Sequence, residues 1–179
     1  MSFKVDKSEI LYQGKVFNLQ VDEITYTESG NKGIRQVAVH PGGAVVVPVT
    51  DDGKIVLVQQ FRYPLQRILL ELPAGKLEPE EDPMLCATRE LTEETGYTAA
   101  KVEPLGFIFT SPGFCTEKLY MYVATGLTPG EFNREEGEIG MEIHEHTIEE
   151  IEKMIVDGII VDAKTLGGIY QFKLKYLKG

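Results

Sequence analysis

The segment GKLEPEEDPMLCATRELTEETGY, Gly75 to Tyr97, decides the fold. Asp82 followed by Pro83 marks a helix start, a side-chain acceptor for the first free amides and then a residue whose missing N–H is not needed there. Gly96 marks the stop, since helices commonly end on a residue in the left-handed region. Within the helix Glu90, Glu93 and Glu94 stand three and four apart, so they project together near its C-terminal end. Bare carboxylates are poorly placed there, because they repel one another and face the negative end of the helix dipole. Two readings follow: a solvated acidic helix end, or a set of hard oxygen ligands for a divalent cation such as Mg²⁺ or Mn²⁺.

Outward from this helix the pattern is that of an α/β protein. Upstream, AVVVPV (44–49) and KIVLVQQF (54–61) are dense apolar runs joined by the turn Asp51-Asp52-Gly53, which predicts buried strands. A loop, RYPLQRI, leads into LLELPAG. Downstream, strands are expected at Val102 to Phe109 and Leu119 to Ala124 around the loop TSPGFCTEK. The acidic segment REEGEIGMEIHEH then precedes two helices, about Thr147 to Val156 and Asp162 to Leu177. The first forty residues alternate differently, as Lys4–Leu11, Val16–Tyr26 and Gly33–His40, and predict a three-stranded antiparallel meander that ends at Pro41-Gly42-Gly43. Residues 1–41 are therefore expected to form an N-terminal meander and 42–179 the main domain. The meander has too little apolar content to stand alone, so it should pair with the main domain or with another subunit.

Composition excludes several classes of function. With 18 Lys and Arg against 28 Asp and Glu, the net charge of −10 repels nucleic acid and anionic lipid. A phosphorylated substrate remains accessible if divalent ions bridge carboxylate to phosphate. No stretch approaches the roughly 18 apolar residues that a membrane span needs, and the start, MSFKVDKSEI, has no signal-like apolar core, so a cytoplasmic protein is expected. Cys86 and Cys115 lack metal-site spacing and read as reduced packing residues. His40, His144 and His146 have no zinc-like arrangement.

The spacing within the decisive segment separates the two readings of its carboxylates. Gly75, Glu81, Arg89, Glu90, Leu91, Glu93, Glu94, Gly96 and Tyr97 occupy every fixed position of the Nudix box, with Tyr97 the one loose match at the last apolar place, and the segment resembles that box. The resemblance to the Nudix hydrolase family implies an α/β/α sandwich with a mixed sheet from Ala44 onward, behind the N-terminal antiparallel β-meander. It also implies a hydrolase that cleaves a diphosphate with two or three Mg²⁺ (or Mn²⁺) ions per active site. Glu90, Glu93 and Glu94 would be metal-ligating or water-activating carboxylates, with Glu93 also counted among the catalytic groups. Arg89 would hold them by ion pairing, Glu81 would assist from the helix start, and the Ala74 carbonyl would complete a metal site. Gly75 and Gly96 are backbone requirements rather than chemistry, and Leu91 is core.

Features outside the box resemble the ADP-ribose pyrophosphatase branch. Pro112 lies sixteen residues after Gly96, in the loop with Gly113 and Phe114, where that branch has a substrate-contacting proline. HPGGAVVVPV (40–49), QQFRYP (59–64) and LELPAGKLE (70–78) are similar as well. They make Arg62 the first candidate for a phosphate or ribose contact and Arg35 the second, since an arginine fork suits bidentate phosphate binding. A surface ion pair is the alternative for each arginine, and an ordinary Pro-Gly turn for Pro112. Phe17, Tyr26 and Phe114 are candidates to stack on adenine, or else core. The expected products are AMP and ribose 5-phosphate. GDP-mannose or another nucleoside diphosphate sugar is the alternative substrate, and a nucleotide-sensing module without catalysis a further one, which the intact box disfavours.

Carboxylates occupied by metal are poor proton acceptors, so a separate base is expected from a loop. By resemblance to the acidic loop of that branch, Glu138 is the candidate base and Glu136 the reserve, with a solvated charge run as the alternative. The branch also implies a homodimer with exchanged N-terminal strands, in which Arg35 would reach the neighbour's substrate.

Overall fold

Strand β4 (Gly43–Pro48) carries four consecutive apolar residues, Ala44 to Val47, all closed to solvent. Successive side chains of a strand point to opposite faces, so a run without alternation means that both faces are covered. Val45 and Val47 enter one core with Ile55, Leu57, Leu72, Met121, Ile151 and Ile169, while Ala44 and Val46 enter a second with Cys86, Ala87, Leu91 and Tyr122. The structure is a computed structural model, and it describes residues 2–131 and 140–177. These form two units: the chain up to Gly42 with Phe109–Lys118, and Gly43–Ile108 with the chain from Leu119 onward.

In the larger unit β4 is central. It pairs parallel with β9 (Lys118–Pro129) and antiparallel with β7 (Ala74–Lys76), and β8 (Tyr97–Phe109) completes a mixed sheet of order β7-β4-β9-β8. A second sheet, β10-β5-β6, is antiparallel, with β5 (Ile55–Arg62) between β10 (Glu142–His146) and β6 (Arg67–Glu71). Helix α1 (Pro83–Thr95) supplies Cys86, Ala87 and Leu91 to one core, and α2 (Ile148–Val156) and α3 (Ala163–Tyr176) supply Ile151, Ile169 and Phe172 to the other. Helices on both sides of packed sheets are the α/β/α sandwich expected from the sequence. No helix among the described residues is long and apolar enough to cross a membrane.

The helix boundaries follow from their caps. Asp82 accepts from the amides of Met84 (2.8 Å) and Leu85 (3.3 Å), Pro83 opens α1, and Gly96 closes it at φ 71°. Thr147 and Glu150 form a reciprocal capping box on α2, and Asp162 caps α3 by accepting from the Thr165 amide.

The smaller unit is the antiparallel meander β1 (Phe3–Gln13), β2 (Asn18–Tyr26) and β3 (Lys32–Val39). Phe109–Lys118 joins it through backbone bonds from Ala38 N to Phe114 O (2.8 Å) and from Thr116 N to Ala38 O (3.0 Å). Strand β1 is exposed along its whole length.

Three elements differ from expectation. RYPLQRI is a tight hairpin connection, with a single 3-10 turn at Tyr63–Leu65 and Gln66 at φ 49°, and its end already belongs to β6. β8 begins at Tyr97, directly after the helix stop, rather than at Val102. The end of the acidic segment is β10, paired from Glu142↔Gln59 to His146↔Ile55. Backbone pairing to β5 makes this strand despite its charged side chains, an effect that composition does not reveal.

Candidate active site

Arg89 is the hub of the segment Gly75 to Tyr97. Its Nε and one terminal nitrogen donate to the two oxygens of Glu81 (2.9 and 3.1 Å). The other terminal nitrogen donates to Glu90 Oε1 (2.7 Å) and Glu93 Oε2 (2.9 Å), and the fifth N–H reaches the Lys76 carbonyl (3.4 Å). The whole planar donor set is used. Hydrogen bonding to Glu81, reinforced by the charge of Glu90 and the bonds to Glu93 and Glu90, outweighs burial and raises the Arg89 pKa far above its ordinary value. The same Arg89 bond holds the Glu81 carboxyl below its usual range.

α1 and β7 build this site together. Glu90 and Glu94 are on the buried side of α1, beneath which β7 runs. The Ala74 amide donates to Glu94 Oε2 (3.1 Å), and a Cβ on Gly75 would overlap the Glu90 carboxylate. Gly75 is therefore required for close approach. Cys86 lies under the same strand, with Sγ 3.8 Å from the Gly75 carbonyl oxygen, and burial with the neighbouring Glu81 and Glu90 pushes its thiol up to about 12. It packs in the core with Ala87, Leu91 and Tyr122.

The donor chemistry fits a hard divalent ion: carboxylates of Glu81, Glu90, Glu93 and Glu94 and the carbonyl of Ala74, with no thiolate or imidazole among them. Among the described residues, no group of three or more His, Cys, Asp or Glu side chains is drawn together as a ready-made metal cage. Three of the carboxylates are instead turned onto Arg89, which here supplies the positive charge that the cluster needs.

The other candidates lie elsewhere. Arg62 donates to Glu71 from Nε (2.8 Å to Oε1) and a terminal nitrogen (2.5 Å to Oε2), so its partner is a buried acid and not a surface one. Glu71 also accepts from Lys164, which in turn donates to Asp162 (2.9 Å). Glu71 and Lys164 went unrecognised in the sequence; a lone acid inside the apolar run LLELP was the available signal. In the smaller unit Arg35 donates to the Tyr26 hydroxyl and the Ile34 carbonyl, with its guanidinium 5.7 Å from the Tyr26 ring centre. Pro112 and Gly113 lie within a turn in which the Phe114 and Cys115 amides donate to Ser111 O (3.1 and 2.9 Å), and the Phe114 side chain is exposed. Glu136 and Glu138 lie outside the described residues.

A mixed α/β sandwich whose first long helix presents a Glu-Arg-Glu-Glu cluster over a glycine-containing strand defines a class, and the comparisons agree. Residues 39–162 match the NUDIX domain, and the chain belongs to the Nudix family. It is 41% identical over 174 residues to a Bacillus subtilis (strain 168) protein named ADP-ribose pyrophosphatase, covering 96% of this chain and 93% of that one. A Bacillus methanolicus protein named methanol dehydrogenase activator is 39% identical, again over 96% of this chain and 93% of its own. Among solved structures, one titled as an ADP compounds hydrolase superposes with a TM-score of 0.86 at 17% identity, covering 97% of this chain and 94% of that one, which shows the shared fold.

Proposed function

We propose that this enzyme hydrolyses the diphosphate of ADP-ribose, adding one water to give AMP and ribose 5-phosphate. The observation that carries the reading is near-full-length relatedness to a protein named ADP-ribose pyrophosphatase, in a chain that gathers the box carboxylates Glu81, Glu90 and Glu93 around Arg89. Glu90, Glu93 and Glu94, with Glu81 and the Ala74 carbonyl, are the residues to hold divalent ions, Mg²⁺ or Mn²⁺, two or three per site. When bound, such ions neutralise phosphate charge and lower the pKa of a coordinated water. Arg89 keeps the carboxylates aligned, Arg62 binds the phosphate or ribose, and Pro112, Gly113 and Phe114 line the substrate. Glu138, with Glu136 in reserve, takes the proton from the attacking water.

The test is product analysis with Mg²⁺, comparing ADP-ribose with GDP-mannose. AMP and ribose 5-phosphate in equal amounts support the reading, and faster cleavage of GDP-mannose by kcat/KM overturns the substrate assignment.

The active form is a homodimer that exchanges N-terminal strands and brings Arg35 to the neighbour's substrate. Support comes from the exposure of Phe3, Val5, Ile10, Leu11 and Tyr12 along β1, an apolar edge strand of the kind that proteins ordinarily cover. A monomer in sedimentation at micromolar concentration contradicts it.

A further inference from the structure

Four charged groups meet where the β5–β6 hairpin approaches the start of α3. Glu71, 1% exposed, takes two bonds from Arg62 and one from Lys164, whose side chain is 11% exposed. Asp162 accepts from Lys164 Nζ (2.9 Å) and from the Thr165 amide (3.0 Å) and hydroxyl (2.7 Å). Thr165 Oγ1 in turn accepts from the Leu72 amide (2.9 Å), so the residue after Glu71 is held from the same helix turn. Two cations and two anions balance, and both carboxylates are anchored.

Stability alone is a weak reason for such a cluster, because desolvation of buried charges largely cancels their attraction. Geometry supplies another. Glu71 grips one edge of the Arg62 guanidinium, through Nε and one terminal nitrogen, which uses two of its five N–H bonds and leaves one on that terminal nitrogen and two on the other. Those two terminal nitrogens form the parallel fork that matches two phosphate oxygens, and the Arg62 side chain is 36% exposed. Lys164 shares the Glu71 charge, so Arg62 does not face that carboxylate as its sole counter-ion.

We propose that Glu71, anchored by Lys164, is a positioning residue that aims the free edge of Arg62 at the anionic part of the substrate. This rests on the reading that Arg62 binds the diphosphate or ribose. A guanidinium on a long flexible side chain otherwise samples many rotamers, and fixing it in advance removes that cost from binding.

The test is a double-mutant cycle on KM and kcat for ADP-ribose with Mg²⁺, using Arg62→Ala, Glu71→Gln and the double variant. Glu71→Gln is expected to raise KM by about tenfold to a hundredfold, the scale of a misplaced contact, with kcat within a few-fold of wild type. In the Arg62→Ala background it should add nothing, because the group it positions is gone. Glu71→Asp keeps the charge balance but withdraws the carboxylate by one methylene, and should raise KM in the same direction even where the Gln variant does not fold. A wild-type KM in folded Glu71→Asp or Glu71→Gln, or losses that multiply in the double variant, overturns the positioning role while leaving Arg62 as a substrate residue. A wild-type KM in Arg62→Ala instead removes the reading on which the proposal rests.

Discussion

Gly75 and Glu90 touch across the β7–α1 interface so closely that a single added carbon on Gly75 would occupy the space of the Glu90 carboxylate. The strand pairs with β4 at Ala44↔Gly75 and cannot retreat without breaking that ladder. The carboxylate must therefore move, although Arg89 holds it. Gly75→Ala should lower kcat by about a hundredfold, the scale of a displaced catalytic group. Near-wild-type turnover in the purified variant would show that the Glu90 position is not critical.

Arg89 compensates three carboxylates at once, so its removal leaves them facing one another. Arg89→Met should cost about 2–3 kcal/mol of stability, less than a fully buried pair because the guanidinium is partly exposed. Lysine should restore little, since a point charge cannot reproduce the planar fork to Glu81, Glu90 and Glu93. Added Mg²⁺ should raise the melting temperature of Arg89→Met more than that of wild type, and EDTA should abolish the difference. Equal metal effects on both proteins in thermal melts would argue against these carboxylates as the ion's ligands.

Acid should act on the cap of α3. Burial pushes the Asp162 carboxyl upward, but the Lys164 charge and the Thr165 hydroxyl and amide outweigh it and leave the pKa below the ordinary 3.8. A carboxyl depressed in the folded state contributes stability that is complete above its unfolded pKa and is lost as pH falls through the folded one. Asp162→Asn should therefore destabilise by about 1–2 kcal/mol near neutrality, with the deficit shrinking below pH of about 4. Urea melts at the two pH values measure it, and a deficit independent of pH would assign the loss to packing.

Much of the local structure around the candidate site was readable because its signals are local. Asp82, Pro83 and Gly96 bound α1 within one segment, and helical geometry alone groups Glu90, Glu93 and Glu94. Strand β4 was legible for a similar reason, as an unbroken apolar run. The Arg62–Glu71–Lys164 cluster was not, since Lys164 lies 93 positions beyond Glu71 and only the tertiary fold joins them. β10 was hidden because its charged side chains mask a strand made by backbone pairing. That Arg89 reaches Glu90 and Glu93 as well as Glu81 sharpens the expectation of simple ion pairing: one guanidinium bonds three of the four acids, while the Ala74 amide bonds Glu94.

The proposed base is separable from the proposed ligands by kinetics. Glu138→Gln should lower kcat by roughly 10² to 10⁴-fold with little change in KM, the signature of a lost general base. If Glu138→Gln and Glu136→Gln each keep more than about half of wild-type kcat, proton abstraction belongs elsewhere, with Glu93 the next candidate.

Action of the carboxylates around Arg89, with a divalent ion, on the ADP-ribose diphosphate is tested most directly by measuring AMP released from ADP-ribose, with Mg²⁺ and with EDTA, by the wild type and by Glu93→Gln. Glu93 shares Arg89 with two other acids and sits near the helix C-terminus, where loss of a negative charge is tolerated. The account predicts Mg²⁺-dependent AMP release by the wild type, and a loss of at least about a hundredfold in a Glu93→Gln variant that melts like the wild type. Wild-type rates in that variant, or undiminished release in EDTA, would contradict it.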